Sequence, residues 1–229
     1  MVNRPAGGHR SKKWERAPYD WYREGPAPVE QLFHGVDFGD DLIWDPCCGA
    51  GNILDVAARY GHPVFGSDLI NRNPKHKFEL RSALSITALP DWVRFFWMRG
   101  RAVSIVSNTP YSYEPTIAER IIAHLLHHLS GHVRRFAFIV PIAFLAGQER
   151  WRDNRFAGRW RPSHTAIYRE RHTMPPGHLI DQMATPYDGG MADYAVLIFT
   201  SPHRWRSETI WLSPGRFPER PRRAIAQGE

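Results

Sequence analysis

Two short runs of this chain combine residue types that could do chemistry. Asp45-Pro46-Cys47-Cys48-Gly49-Ala50-Gly51-Asn52 is a glycine turn at the end of an apolar strand, Leu42-Ile43-Trp44. Asn108-Thr109-Pro110-Tyr111 follows a second apolar strand, Ala102-Val103-Ser104-Ile105-Val106. In an open α/β sheet, ligands sit outside the carboxyl ends of the strands, so two such turns would share one crevice. One strand end can hold a cofactor and the other the group to be modified. Neither run is specific alone. Tight turns need glycine in many settings, and an Asn-x-Pro-Tyr run also serves as an ordinary turn closing a strand. Leu54 stands where a dinucleotide fingerprint needs its third glycine, and there is no Gly-Lys-Ser/Thr of a P-loop.

The order of the motifs is more telling. Asp-Pro-x-Cys-Gly-x-Gly, an acid ending the next strand, then Asn-x-Pro-Tyr resembles the amino-methyltransferases that use S-adenosylmethionine (SAM). The acid is Asp68, in Val64-Phe65-Gly66-Ser67-Asp68-Leu69, about 20 residues past the glycine turn, the offset at which an acid reaches ribose hydroxyls in nucleotide-binding α/β folds. Within that superfamily the chain is similar to the compact DNA adenine-N6 methyltransferases of phage and bacterial type. The resemblance runs from about Trp21 to Phe199. It includes Trp21-Tyr22-Arg23-Glu24-Gly25-Pro26, Phe144-Leu145-Ala146-Gly147-Gln148-Glu149-Arg150 and Asp193-Tyr194-Ala195-Val196-Leu197-Ile198-Phe199. Two positions depart from the family: Thr109 replaces the first proline of Asn-Pro-Pro-Tyr, and Gly25-Pro26 replaces the more usual Thr-Pro.

The resemblance implies SAM as cofactor, with Asp45, Cys47, Gly49, Gly51, Asp68 and Asn108 on the cofactor side, and Asn108, Pro110 and Tyr111 as catalytic residues. The chemistry explains the last three. The exocyclic amine of adenine is a poor nucleophile because its lone pair is delocalised into the ring. An Asn108 amide oxygen and a Pro110 carbonyl would accept its hydrogens and turn the lone pair toward the methyl group, in a turn that proline holds rigid before substrate arrives. Tyr111 would offer a flat face to a base flipped out of the duplex. Asp68 would accept hydrogen bonds from the ribose diol, and Asp45 would face the ammonium of the methionine part. Both carboxylates also fit blander roles, Asp68 as a solvated strand end and Asp45 as a helix cap. Asp91 could line the cofactor's adenine or cap the segment at Trp92; the family's acid after strand three has no clear counterpart, and Ser82-Ala83-Leu84 occupies one alignment.

The elements that must position these residues alternate between strand and helix patterns. Strands are expected to end at Asp45, near Asp68 and at Ser107, with another over Phe136–Val140. Helices are expected over Pro28–Phe33, over Ile53–Arg59 and from Thr116 to Leu129, where Ile117, Ile121, Leu125 and Leu129 recur at helical spacing. Residues 71–99 suggest one short strand plus irregular structure. Late strands near Thr165–Tyr168 and Ala195–Phe199 make an antiparallel hairpin. The expected architecture is α/β: a mostly parallel seven-stranded sheet, helices on both faces, and an antiparallel terminal hairpin. The expected organisation is a basic arm at residues 1–18, a methyltransferase domain at 19–212 and a basic tail at 213–229.

Charge adds a partner. The chain of 229 residues carries a net charge of +7 with a pI near 9.7, which suits a polyanion, nucleic acid being the commonest. Arg150, Arg152, Arg155, Arg159 and Arg161 share a short segment with Trp151 and Trp160. Basic residues with interleaved aromatics suit a DNA surface, although a solvated helix face with inward tryptophans fits the same pattern. His124, His128 and His132 recur every four residues, but no third ligand type accompanies them, and Gly131 ends the helix before His132, so no metal is expected. Cys47 and Cys48 are adjacent and the only cysteines; they read as small buried residues of the turn and fit a cytoplasmic setting. No apolar run approaches 18 residues and Met1–Gly8 lacks a signal peptide's apolar core, so no membrane partner is expected. The sequence leaves oligomeric state open. It also leaves open methylation of a glutamine side-chain amide, of cytosine N4, or a nucleic-acid-binding protein that keeps the fold without turnover, with Thr109 as the suspect change.

Overall fold

The computed structural model describes residues 17–111, 116–146, 161–202 and 206–213. Eight strands form one sheet: β1 (Leu42–Asp45), β2 (Val64–Asp68), β3 (Phe78–Leu80), β4 (Val103–Asn108), β5 (Arg135–Pro141), β6 (His164–Tyr168), β7 (Tyr194–Thr200) and β8 (Glu208–Leu212). Their order is β3-β2-β1-β4-β5-β7-β6-β8. β1 pairs in parallel with β2 and β4, and β2–β3 and β4–β5 are parallel as well. β7 lies antiparallel between β5 and β6. The chain thus winds outward from β1 to β3, then crosses to β4 on the other side. The carboxyl ends of β1 and β4 flank this switch point, where open α/β sheets hold their ligands.

Alternation along the strands builds two cores. Leu42 and Trp44 of β1, Val103 and Ile105 of β4, and Phe136, Phe138 and Val140 of β5 face one layer. Ile43, Val106, Ala137 and Ile139 face the other. The first layer is closed by α3 (Asp91–Trp97) and α4 (Ile117–Leu129), whose Ile117, Ile121, Ile122, Leu125 and Leu129 form one apolar stripe. The second is closed by α1 (Pro26–Gly35) and α2 (Asn52–Arg59), through Val29, Leu32 and Phe33, and Ile53, Val56 and Ala57. Pro26 opens α1 at a position where its missing N–H costs nothing.

Two elements differ from the sequence expectation. The sheet has eight strands rather than seven. β8 is an edge strand, parallel to β6, and only Leu212 of its residues is buried, so it carries almost no alternating signal. Residues 91–97, expected to be irregular, form α3. That helix is built from aromatic and β-branched residues that favour strands, and only Val93 is buried, which hides its period. Among the described residues, no helix is long and apolar enough to cross a membrane.

Candidate active site

The glycine turn is shaped by its own backbone. Gly49 has φ +53, and a Cβ there would lie 2.9 Å from Trp21 Nε1. Gly51 (φ 89) is the left-handed residue that turns the chain into α2. The Gly49 N–H donates to Asp68 Oδ2 at 2.8 Å, which ties the turn after β1 to the end of β2. Asp68 Oδ1 accepts from the Ile70 N–H at 2.9 Å and from Arg72 at 2.8 Å. The Arg72 guanidinium also lies 4.6 Å from the centre of the Trp21 ring. A carboxylate has about four acceptor positions, so Oδ2 keeps one for a further donor.

One cleft joins the two turns. Its walls include Pro46, Cys47, Cys48 and Gly49 from the turn after β1, Asp68 from the end of β2, and Asn108 and Pro110 from the end of β4. Ser82, Ala83 and Leu84, after β3, line it too. Asp91 does not; its carboxyl is 91% exposed and pairs with Arg94. Asp45, Gly51 and Tyr111 also stand outside the lining. Asp45 lies behind the turn, 1% exposed, accepting from the Cys47 N–H at 3.0 Å and from the Ser107 hydroxyl at 2.7 Å. Burial pushes its pKa well up; the Ser107 bond opposes this and the nearby Glu24 charge adds to it. Burial, then the Asp45 charge, push the Cys47 thiol up as well, so it stays protonated and is no thiolate nucleophile.

The Asn108 amide is oriented by its neighbours. Its Nδ2 donates to Glu24 Oε2 at 2.9 Å and to the Tyr22 carbonyl at 3.2 Å. Both amide hydrogens then have acceptors, which assigns Oδ1 as the acceptor end of the amide. In this conformation the Tyr111 hydroxyl donates toward Asn108 Oδ1 and lies 2.7 Å from the Ile139 carbonyl; its single proton serves one at a time. The Tyr111 ring packs against the α4-side core. Between them, Thr109 is 1% exposed, and its hydroxyl has no partner among the described residues.

The run Tyr19-Asp20-Trp21-Tyr22-Arg23-Glu24 forms a further wall, to which sequence reasoning assigned no role. It is pinned from a distant part of the chain: the Arg23 N–H donates to the Pro175 carbonyl at 2.9 Å and the Gly177 N–H to the Trp21 carbonyl at 2.8 Å. Tyr22 also bridges Pro176. Arg23 donates to Asn52 Oδ1 at 2.7 Å, while its Nε is buried with no partner among the described residues. Trp21-Tyr22-Arg23-Glu24 was visible as part of the family resemblance, but nothing local marks Glu24 as a partner of Asn108.

The remaining expectations divide. Arg150, Arg152, Arg155 and Arg159, the arm up to residue 16 and the tail from residue 214 lie outside the described residues. His124 Nε2 lies 2.8 Å from the Ile86 carbonyl, its ring 4.4 Å from that of His128, and His132 packs edge-on to Trp97. Among the described residues, no group of three or more His, Cys, Asp or Glu is placed to hold a metal ion.

Neither a protein-family model nor a curated protein sequence matches this chain. Solved structures do align with it. A candidate RNA methyltransferase from Pyrococcus horikoshii is 12% identical over 76% of this chain and 82% of its own, with a TM-score of 0.49. The methyltransferase subunit of a type I restriction-modification system from Streptococcus thermophilus is 14% identical over 79% of this chain and 44% of its own, with a TM-score of 0.47. The 1,6-didemethyltoxoflavin-N1-methyltransferase of Burkholderia thailandensis, with bound S-adenosylhomocysteine, is 13% identical over 76% of each chain, with a TM-score of 0.42. The fold itself is read from the strand order and the switch point.

Proposed function

We propose that this protein transfers the methyl group of SAM to an exocyclic amine, N6 of adenine in DNA. The observation that carries the reading is the single cleft at the switch point. Cys47, Cys48, Gly49 and Asp68 line it on one side and Asn108 and Pro110 on the other. The strand order agrees with the fold that the motif resemblance implies. The residues present fit the cofactor: Asp68 Oδ2 has an acceptor position left for a ribose hydroxyl, Gly49 admits close approach of a ligand to the backbone, and Arg23 offers a positive charge for the methionine carboxylate.

When bound, SAM would supply an electrophilic methyl group: the amine lone pair would form the new N–C bond as the S–C electron pair returned to sulfur, passing the positive charge to nitrogen. The protein's share is placement. Asn108 Oδ1 and the Pro110 carbonyl accept the two amine hydrogens and turn the lone pair out of the ring's conjugation. Tyr111 stands outside the cleft lining with its ring on the α4-side core, so for it to stack on the base its hydroxyl must leave Asn108 Oδ1 and the ring must turn into the cleft as the amine arrives. The methylated, cationic nitrogen is a strong acid and gives its extra proton to water, so no general base is required.

Incubation with labelled SAM and mixed genomic DNA, followed by nucleoside mass spectrometry, tests this. N6-methyldeoxyadenosine is the expected product. N4-methyldeoxycytidine, or label in protein alone, would assign the same chemistry to another acceptor. Asn108→Ala should cut turnover by orders of magnitude and leave SAM affinity nearly intact, because its contact tightens in the transition state. Transfer that survives Asn108→Ala unchanged refutes the mechanism.

A further inference from the structure

Glu24 is 7% exposed in the cleft wall, and the reaction described above gives it no role. A carboxylate taken out of water is costly unless what it bonds repays the loss. Its neighbour Arg23 spends its hydrogen bond on Asn52. Among the described residues, the one side-chain hydrogen bond to the Glu24 carboxyl comes from Asn108 Nδ2, at 2.9 Å. Asn108 in turn sits at the carboxyl end of β4, with its other amide hydrogen on the Tyr22 carbonyl. The chain thus sets an acid directly behind the residue that must present an oxygen to the substrate.

We propose that Glu24 is a positioning residue for methyl transfer: its carboxylate holds the Asn108 amide with Oδ1 toward the amine, and its charge lies on the side to which positive charge moves. The proposal rests on the methyl-transfer reading above. During transfer a unit positive charge leaves sulfur and arrives at the nitrogen held by Asn108. A fixed negative charge behind Asn108 therefore acts more strongly on the transition state than on the bound substrates, and the dry wall keeps it from being screened. A neutral side chain of the same shape could hold the amide but could not supply this term.

The titratable groups that face Glu24 are Arg23 on its own segment, Asp45 on β1, Tyr111 after β4 and Tyr168 on β6. Burial raises the Glu24 pKa from 4.5 to about 7, with the Asn108 bond and the Arg23 charge pulling the other way. Turnover by the wild type should accordingly fall below pH of about 7 as Glu24 takes up a proton. Tyr111 and Tyr168 are pushed further up by burial and stay neutral through this range.

The test compares wild type with Glu24→Gln, which keeps an acceptor for Asn108 but removes the charge. Glu24→Gln should lower kcat about 10- to 100-fold, the scale of a charge-assisted contact, leave SAM affinity by calorimetry unchanged, and abolish the acid limb of the kcat profile. A Glu24→Gln protein as active as wild type, one that keeps the limb, or one that loses SAM affinity in place of turnover overturns the proposal. A second readout needs no turnover: the side-chain amide resonances of 15N-labelled Asn108 should titrate in wild type and not in Glu24→Gln. Resonances that stay fixed in wild type overturn the contact itself. If wild type transfers methyl to no DNA while those resonances titrate, the methyl-transfer reading fails, taking the catalytic part of this proposal with it, and the contact stands.

Discussion

Burial holds the Glu24 carboxyl at about 7 against an ordinary 4.5, so near neutral pH the folded chain keeps a proton that the unfolded chain has released. A raised carboxyl contributes stability that is fully present below the unfolded value and is lost as pH rises through the folded one. The window here runs from 4.5 to about 7. Glu24→Gln should therefore be more stable than wild type at pH 8, by roughly 3 kcal/mol at about 1.4 kcal/mol per pKa unit, with the gap closing toward pH 4. Denaturant unfolding at the two pH values checks this, and an equal midpoint difference at both would rule out the ionisation as its source. Asn108, Gly49 and Asp68 were legible because each belongs to a run whose order along the chain is informative. Glu24 was not, because its partner lies 84 residues away and a lone Glu before Gly-Pro has no pattern of its own.

At the scale of elements, the turn after β1 depends on a backbone that only glycine adopts freely. Gly49→Ala would combine left-handed strain of roughly 1–2 kcal/mol with a Cβ 2.9 Å from Trp21 Nε1, displacing a wall of the cleft. SAM affinity measured by calorimetry should drop about tenfold or more, on the order of the strain alone. Gly61→Ala is the control. Its φ is +88, but nothing lies within 4 Å of the added carbon, so stability should fall while SAM affinity holds. An equal loss of affinity in both variants would mean that general destabilisation, not the turn, is being read. The strands around this turn were legible because β1, β4 and β5 are buried on both faces and read as apolar runs. β8 and α3 were not, since exposed edges and short aromatic helices carry neither period.

For the whole molecule, the net charge of +7 makes salt the natural probe of a DNA partner. Affinity for a DNA duplex should fall linearly in log-log form with salt, with a slope of about 0.9 per neutralised phosphate. Replacing Arg152, Arg155 and Arg159 together by Gln should flatten that slope by about two to three units in fluorescence-anisotropy titrations. A slope that does not move assigns this arginine cluster to a solvated face.

The cleft is assembled from parts of the chain that are far apart in sequence. Trp21, Tyr22 and Arg23 are held against it by the backbone of residues 175–177, and β7, which follows, is wedged between β5 and β6. During synthesis, the glycine turn and Asp68 leave the ribosome more than 100 residues before Gly177. A nascent chain of that length has the glycine turn and Asp68 without the segment that pins the opposite wall of the cleft. On the methyl-transfer reading proposed above, cofactor capture would thereby be a late event in the life of the polypeptide, open to the finished fold and withheld from its half-made precursors.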